Sequence, residues 1–163
     1  MGGLLVAQFF GAFNDNAFKM VVILIGIGAV LEQDDAVAQS MATWAMVVFT
    51  LPLMLGSLPA MGVGDRVSKR TLLVCTKLAE LTLMLGGTLA LWWQPDGVWP
   101  LVILGGMGLQ SAFFAPAKYG ILPETLPHEE LTSANGKLEA ASFLAIILGT
   151  VAGGAMLTWS DGE

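Results

Sequence analysis

The sequence predicts an all-α fold, a polytopic bundle of transmembrane helices. Three observations predict it. Hydrophobic residues make up 55% of the 163 residues and charged residues 12%, with a mean hydropathy of +0.74, whereas a soluble domain is about a quarter charged. The apolar residues gather in five long stretches, each near the roughly 20 residues a helix needs to cross a bilayer. The chain also carries 20 glycines, small residues that let membrane helices approach closely. A β-barrel does not fit, because the stretches are too long for barrel strands and lack their alternation. A net charge of −6 with seven basic residues argues against nucleic-acid binding, which needs a clustered basic face. The single Cys75 cannot form an intramolecular disulfide and leaves the redox compartment open.

The first span runs from Leu4 to Leu31, the second from Met41 to Val63 and the third from Thr71 to Trp93. The fourth runs from Val98 to Phe114 and the fifth from Ala134 to Trp159. The first span is not a signal peptide: it lacks a basic leading region, is too long, and is polar at its centre. Between spans two and three lies Asp65-Arg66-Val67-Ser68-Lys69-Arg70, and between four and five a loop from Ala115 to Ser133 with Lys118 and His128. The connections Glu32 to Ser40 and Gln94 to Gly97, and the terminal Ser160 to Glu163, hold no Lys or Arg. Basic loops stay in the cytoplasm, so the N-terminus is expected inside and the C-terminus outside. Trp92, Trp93, Trp99 and Trp159 then fall at outer span ends, as an interfacial aromatic belt. An odd number of spans, ending within a few residues of the last helix, reads as a longer chain cut short.

Charges inside the spans are the candidate functional residues. Asn14-Asp15-Asn16 and Lys19 interrupt the first span, with Asp15 near its centre. A lone charge there costs at least about 2.5–3.5 kcal/mol, and Asp15 and Lys19, four apart on a helix, are placed to pair. Gln8, Gly11, Ala12, Asp15, Lys19 and Gly26 share one side at 100° per residue. This stripe reads either as the wall of a water-filled cavity, the preferred reading, or as a buried structural ion pair. On the fifth span Asn135, Glu139, Ser142, Ile146, Gly149 and Gly153 share a broad face. For Glu139, cavity lining and structural pairing stand equal, while Gly149 and Gly153 form a GxxxG suited to close packing. Lys137 faces away and snorkels to headgroups. Lys77 and Glu80, three apart, read as a local salt bridge. His128, in Leu126-Pro127-His128-Glu129-Glu130, reads as a solvated residue where a short helix starts. No phosphate-binding glycine loop, metal-ligand cluster or nucleophile–base–acid set is present, so neither an enzyme nor a cofactor is expected. Pairs such as Gly105-Gly106 read as helix-packing residues.

Two segments carry a family resemblance. Gly62-Val63-Gly64-Asp65-Arg66-Val67-Ser68-Lys69-Arg70 resembles the signature cytoplasmic loop of the major facilitator superfamily, roughly G-x-L-A-D-R-x-G-R-[KR], with its acidic–basic core kept as Asp65, Arg66, Lys69 and Arg70. Met61, Val63 and Ser68 depart from the pattern. Gln8-Phe9-Phe10-Gly11-Ala12-Phe13-Asn14-Asp15-Asn16-Ala17-Phe18-Lys19 is similar to the first helix of bacterial lysophospholipid transporters. So is Phe113-Phe114-Ala115-Pro116-Ala117-Lys118-Tyr119-Gly120-Ile121-Leu122-Pro123-Glu124, followed by Leu131, Ala134-Asn135-Gly136 and Glu139. The same helices open fusion proteins that join such a transporter to an acyltransferase and an acyl-carrier-protein synthetase.

The resemblance covers nearly the whole chain and implies spans one to five of a twelve-span transporter, a partial N-terminal half of a major facilitator fold. It implies movement of lysophospholipid, chiefly lysophosphatidylethanolamine, across the bacterial inner membrane by alternating access. The partners it implies are that substrate, membrane lipid, and an acyltransferase/acyl-carrier-protein synthetase. The implied substrate residues are Gln8, Asp15, Asn16, Lys19, Lys118 and Glu139, with Asp15 meeting the ammonium or holding Lys19. Lys118 would meet the phosphate or act as a snorkelling anchor. Asp65, Arg66, Lys69 and Arg70 would form a conformational latch, Asp65 pairing with Arg66, Arg70 or a neighbouring helix end. Competing readings are a major facilitator transporter of another small molecule, a membrane module of a fused acyltransferase, and a self-sufficient five-helix protein.

Overall fold

The computed structural model describes residues 1–28 and 35–160, without the side chains of residues 35, 37, 38 and 158–160. Much of the connection from Glu32 to Ser40 and the side chain of Trp159 thus lie outside the described residues. Five helices follow in order: α1 (Gly2–Gly28), α2 (Asp35–Arg66), α3 (Lys69–Trp93), α4 (Val98–Thr125) and α5 (His128–Ser160). All five are long and apolar enough to cross a membrane, and the described residues form no strand.

The breaks between helices are short and chemically marked. Ser68 caps α3, its hydroxyl accepting from the Thr71 amide at 3.1 Å. Gln94 closes α3, and Pro100 stands in the first turn of α4, where a missing N–H costs nothing. The loop expected from Ala115 to Ser133 is a correction: α4 runs on to Thr125, and α5 starts at His128 with Glu129 and Glu130 in its first turn. Only Leu126 and Pro127 separate the two. Pro116 does not end α4, as Pro52 and Pro59 do not end α2, because neighbouring helices support a proline inside a membrane helix. Here Pro116 packs against Gly64 of α2, 3.3 Å from where a β-carbon would stand. Exposed His128 is the first residue of α5.

Small residues set the helix pairs. A side chain on Gly149 would collide with the Phe13 carbonyl, and one on Gly153 would come 2.5 Å from the Ala17 carbonyl. The GxxxG of α5 therefore packs directly on the α1 backbone. α2 and α4 meet in the same way, Gly108 against the Phe49 carbonyl, Gly105 against Val48, and Gly56 against Leu109 and Ala112. Gly106 faces Leu83 of α3, so the Gly105-Gly106 pair serves packing on both sides.

Two apolar clusters bracket the bundle's middle. One gathers Phe18, Val22, Ala45, Leu104 and Met107 with Phe49, Leu83 and Ile103. The other joins Leu122, Ala134 and Leu138 to Leu4, Leu5, Leu126 and Leu131. The outer surface is apolar, with Leu78, Leu81, Leu85 and Leu89 exposed along α3 and Phe143, Ile147 and Val151 along α5. Such a periphery suits lipid rather than water. Trp92, Trp93 and Trp99 stand exposed around the α3–α4 turn.

Candidate functional site

Between the two clusters lies a polar cavity of about 340 Å³. Its walls come from α1 (Gln8, Gly11, Ala12, Asp15, Asn16, Lys19), α2 (Phe49), α3 (Lys77, Glu80), α4 (Gln110, Ser111, Phe114, Ala115, Lys118) and α5 (Glu139, Ser142, Ile146). Helical spacing brings the α1 stripe to one wall, Gly26 excepted, which lies by Met41. On α5, Glu139, Ser142 and Ile146 face the cavity while Gly149 and Gly153 pack on α1, and Asn135 is exposed. All six residues expected at a substrate site therefore meet around one space.

The pairing inside it differs from the sequence expectation. Asp15 and Lys19 form no ion pair. The Ser111 hydroxyl donates to Asp15 Oδ2 at 2.7 Å, whereas Oδ1 is buried with no hydrogen-bond partner among the described residues. Lys19 instead places its ammonium over the Phe49 ring, 4.9 Å from the centroid. Four-residue spacing allows the pair but does not fix side-chain rotamers, and Ser111 and Phe49 supply competing partners.

The ion pairs among the described residues are two others. Lys77 meets Glu80 at 2.6 Å, as its spacing suggested, with its ammonium 4.5 Å from the Phe114 ring centroid. This pair is also a cavity wall: the Lys77 ammonium lies 2.5 Å from where a Gly11 β-carbon would stand. Lys118, buried, lies 3.8 Å from Glu139 and 4.4 Å from the Tyr119 ring centroid. Glu139 also accepts from the Tyr119 hydroxyl. Asn16 donates to the Ala12 carbonyl of its own helix at 2.7 Å.

Neutral amides tie the walls together. Gln8 donates to Ser142 at 2.5 Å, and Ser142 to the Leu138 carbonyl at 2.8 Å. Gln110 donates to the Thr76 carbonyl at 3.0 Å. Gln110 and Ser111 were the residues sequence reasoning passed over. Two adjacent polar side chains inside the fourth apolar span were the available signal. Among the described residues no group of three His, Cys, Asp or Glu side chains is placed to hold a metal.

The Asp65 loop lies apart, at the bundle end where α2 and α3 meet. Asp65, Arg66, Ser68, Lys69 and Arg70 line a second, polar cleft with Ile121, Glu124 and Thr125 of α4. Lys69 donates to the Gly64 carbonyl, and its methylenes cover Gly120 of α4. Asp65 forms no ion pair among the described residues, so the expected bridges to Arg66 or Arg70 are absent. Lys137 lines a cleft with Met1, Leu126 and Glu130.

The sequence profile described as the Major Facilitator Superfamily matches residues 4–161. The lysophospholipid transporter LplT of Photorhabdus laumondii is 35% identical over 98% of this chain and 37% of its own length. The LplT proteins of Salmonella paratyphi B and Salmonella heidelberg are 31% and 32% identical over 98% of this chain and 36% of their own lengths. The chain thus spans little more than a third of the length of the curated relatives it matches. No solved structure matches it. Taken with five apolar helices around a polar cavity, the profile match makes this a multi-pass membrane protein, and the chain belongs to the Major Facilitator Superfamily.

Proposed function

We propose that the chain contributes the first five helices of an N-terminal half in a transporter that moves lysophospholipid, lysophosphatidylethanolamine first, across the bacterial inner membrane by alternating access. The observation that carries this reading is the mid-bundle cavity, whose acids, bases and amides stand inside an otherwise apolar helix bundle. Intramembrane ionisable groups are costly and face pathways for polar cargo. A lipid with one acyl chain and a charged headgroup needs such a polar wall and an apolar surround. The LplT relatives and the first-helix motif point to the same cargo.

In this reading Asp15 takes the ammonium of the headgroup on its unpartnered oxygen. Gln8 and Asn16 shape the wall beside it, and Lys118 with Glu139 guards the cavity near the α4–α5 turn. Asp65, Arg66, Lys69 and Arg70 form the conformational latch, placed against the end of α4 rather than at the cavity. The N-terminus lies in the cytoplasm, by the bias of Arg66, Lys69 and Arg70 to one side. Lysolipid delivered inward becomes substrate for an acyltransferase/acyl-carrier-protein synthetase, the partner the fusion proteins suggest.

The test is uptake of labelled lysophosphatidylethanolamine by cells lacking their own lysolipid transport and expressing the full-length protein. Uptake well above the empty-vector level is expected. Uptake equal to that level would refute the reading.

A further inference from the structure

We infer that Lys19 is the phosphate ligand of this cavity, holding the anionic half of a zwitterionic headgroup whose cationic half rests on Asp15. The inference rests on the lysophospholipid reading above and assigns the phosphate to a residue the relatives' names do not touch.

The argument is one of charge pairing. The cavity wall carries three lysines and three carboxylates: Lys19, Lys77, Lys118, Asp15, Glu80 and Glu139. Two lysines have their acids, Lys77 with Glu80 at 2.6 Å and Lys118 with Glu139 at 3.8 Å. Lys77 is further held against Phe114 and Lys118 against Tyr119. Glu139 is engaged twice, by Lys118 and by the Tyr119 hydroxyl. These four charges cancel locally and leave little free capacity.

The third lysine and the third acid do not pair. Asp15 gives one oxygen to Ser111 and keeps the other buried and unpartnered. A buried acceptor without a donor is rare and calls for a reason. Among the described residues Lys19 forms no ion pair, and it rests on the Phe49 ring, 4.9 Å from its centroid. A ring face steadies a cation without using its three N–H donors in hydrogen bonds. The cavity therefore presents one acceptor and one cation that, among the described residues, have no hydrogen-bond partner. They lie one helical turn apart on α1, a rise of about 6 Å along its axis. A ligand with phosphate and ammonium two carbons apart would satisfy both at once. It would also be net neutral, as the pair it bridges is, so no charge would be left uncompensated in the bundle.

The test measures affinity in the full-length protein reconstituted in nanodiscs, with three probes. They are lysophosphatidylethanolamine, a monoacylglycerol without phosphate or amine, and sphingosine, which has the ammonium but no phosphate. In wild type, lysophosphatidylethanolamine should bind at least tenfold more tightly than monoacylglycerol. Lys19→Gln should weaken lysophosphatidylethanolamine at least tenfold and leave sphingosine within threefold, which also shows that the fold survives. Lys19→Arg, which keeps a phosphate-binding cation, should recover most of the affinity. Unchanged lysophosphatidylethanolamine affinity in Lys19→Gln overturns the assignment while leaving the lysophospholipid reading intact. Loss in Lys118→Gln with Lys19→Gln unaffected moves the phosphate to Lys118 and overturns it as well. Wild-type protein that binds none of the three probes ends the lysophospholipid reading and this assignment together.

Discussion

Ser111 donates a hydrogen bond to the Asp15 carboxylate across 2.7 Å, joining α4 to α1 in the middle of the bundle. The same carboxylate makes no ion pair with Lys19, four residues along α1. Because the acceptor is a carboxylate in a part-buried setting, the bond should contribute about 1.5 kcal/mol, the low end for hydrogen bonds to charged groups. Ser111→Ala should lower the thermal stability of the purified protein and cut lysolipid uptake. Ser111→Thr, which keeps the hydroxyl, should restore most of both. An alanine variant as stable as wild type would show that the bond does not hold the two helices.

The unpaired arrangement of Asp15 and Lys19 makes a second expectation. If the two formed an ion pair, removing the acid alone would strand the lysine and cost more than removing both. Here Asp15→Leu and the double change Asp15→Leu with Lys19→Leu should express to similar levels. Their coupling in a double-mutant cycle should stay at about 0.5–1 kcal/mol, the low end for neighbouring residues and well below the cost of breaking a buried ion pair. Both variants should leave uptake near the background. Strong rescue by the second change, in stability or in uptake, would restore the structural ion pair.

At the Asp65 loop, Asp65→Asn should slow transport while leaving lysolipid affinity within about twofold, since the loop's cleft is separate from the cavity. Paired uptake and equilibrium binding measurements decide this. Reduced affinity with normal turnover would remove the latch and make the loop a binding element.

Glycines on α5 offer a contrast within two turns. Gly149 faces the Phe13 carbonyl, and a methyl there has no room, whereas Gly154 has nothing within 4 Å. Gly149→Ala should destabilise by about 1–3 kcal/mol, as overpacking does. Gly154→Ala should be neutral or stabilising by up to about 1 kcal/mol, from helix propensity. Thermal melts of the two variants in the same detergent check both signs. Equal behaviour would mean that α1 and α5 do not touch at Gly149.

Orientation is checked with a reporter active only in the cytoplasm. Fused after Gly162, it should stay dark, and fused within the Asp65–Arg70 loop it should be active. The reverse pattern would invert the bundle.

Sequence by itself determined the helical class, the five spans and the polar stripe of α1. Those follow from hydropathy over about 20 residues and from a period of 3.6, both local properties of the chain. It also determined that Lys77 and Glu80 would meet, because three residues along a helix put them side by side. The end of α4 was not legible. The apolar stretch of the fourth span ends at Phe114, whereas α4 continues through Pro116, which packs against Gly64 of α2, to Thr125. Nor was the partner of Asp15 legible. Lys19 is its neighbour in sequence, but Ser111 stands 96 residues away and reaches it only because α4 crosses α1. Tertiary structure decided how the remaining cavity charges stand: Lys118 of α4 meets Glu139 of α5, while Asp15 and Lys19 stay apart. In a low-dielectric bundle a charge takes the best partner within reach, and reach is set by how helices cross rather than by distance along the chain.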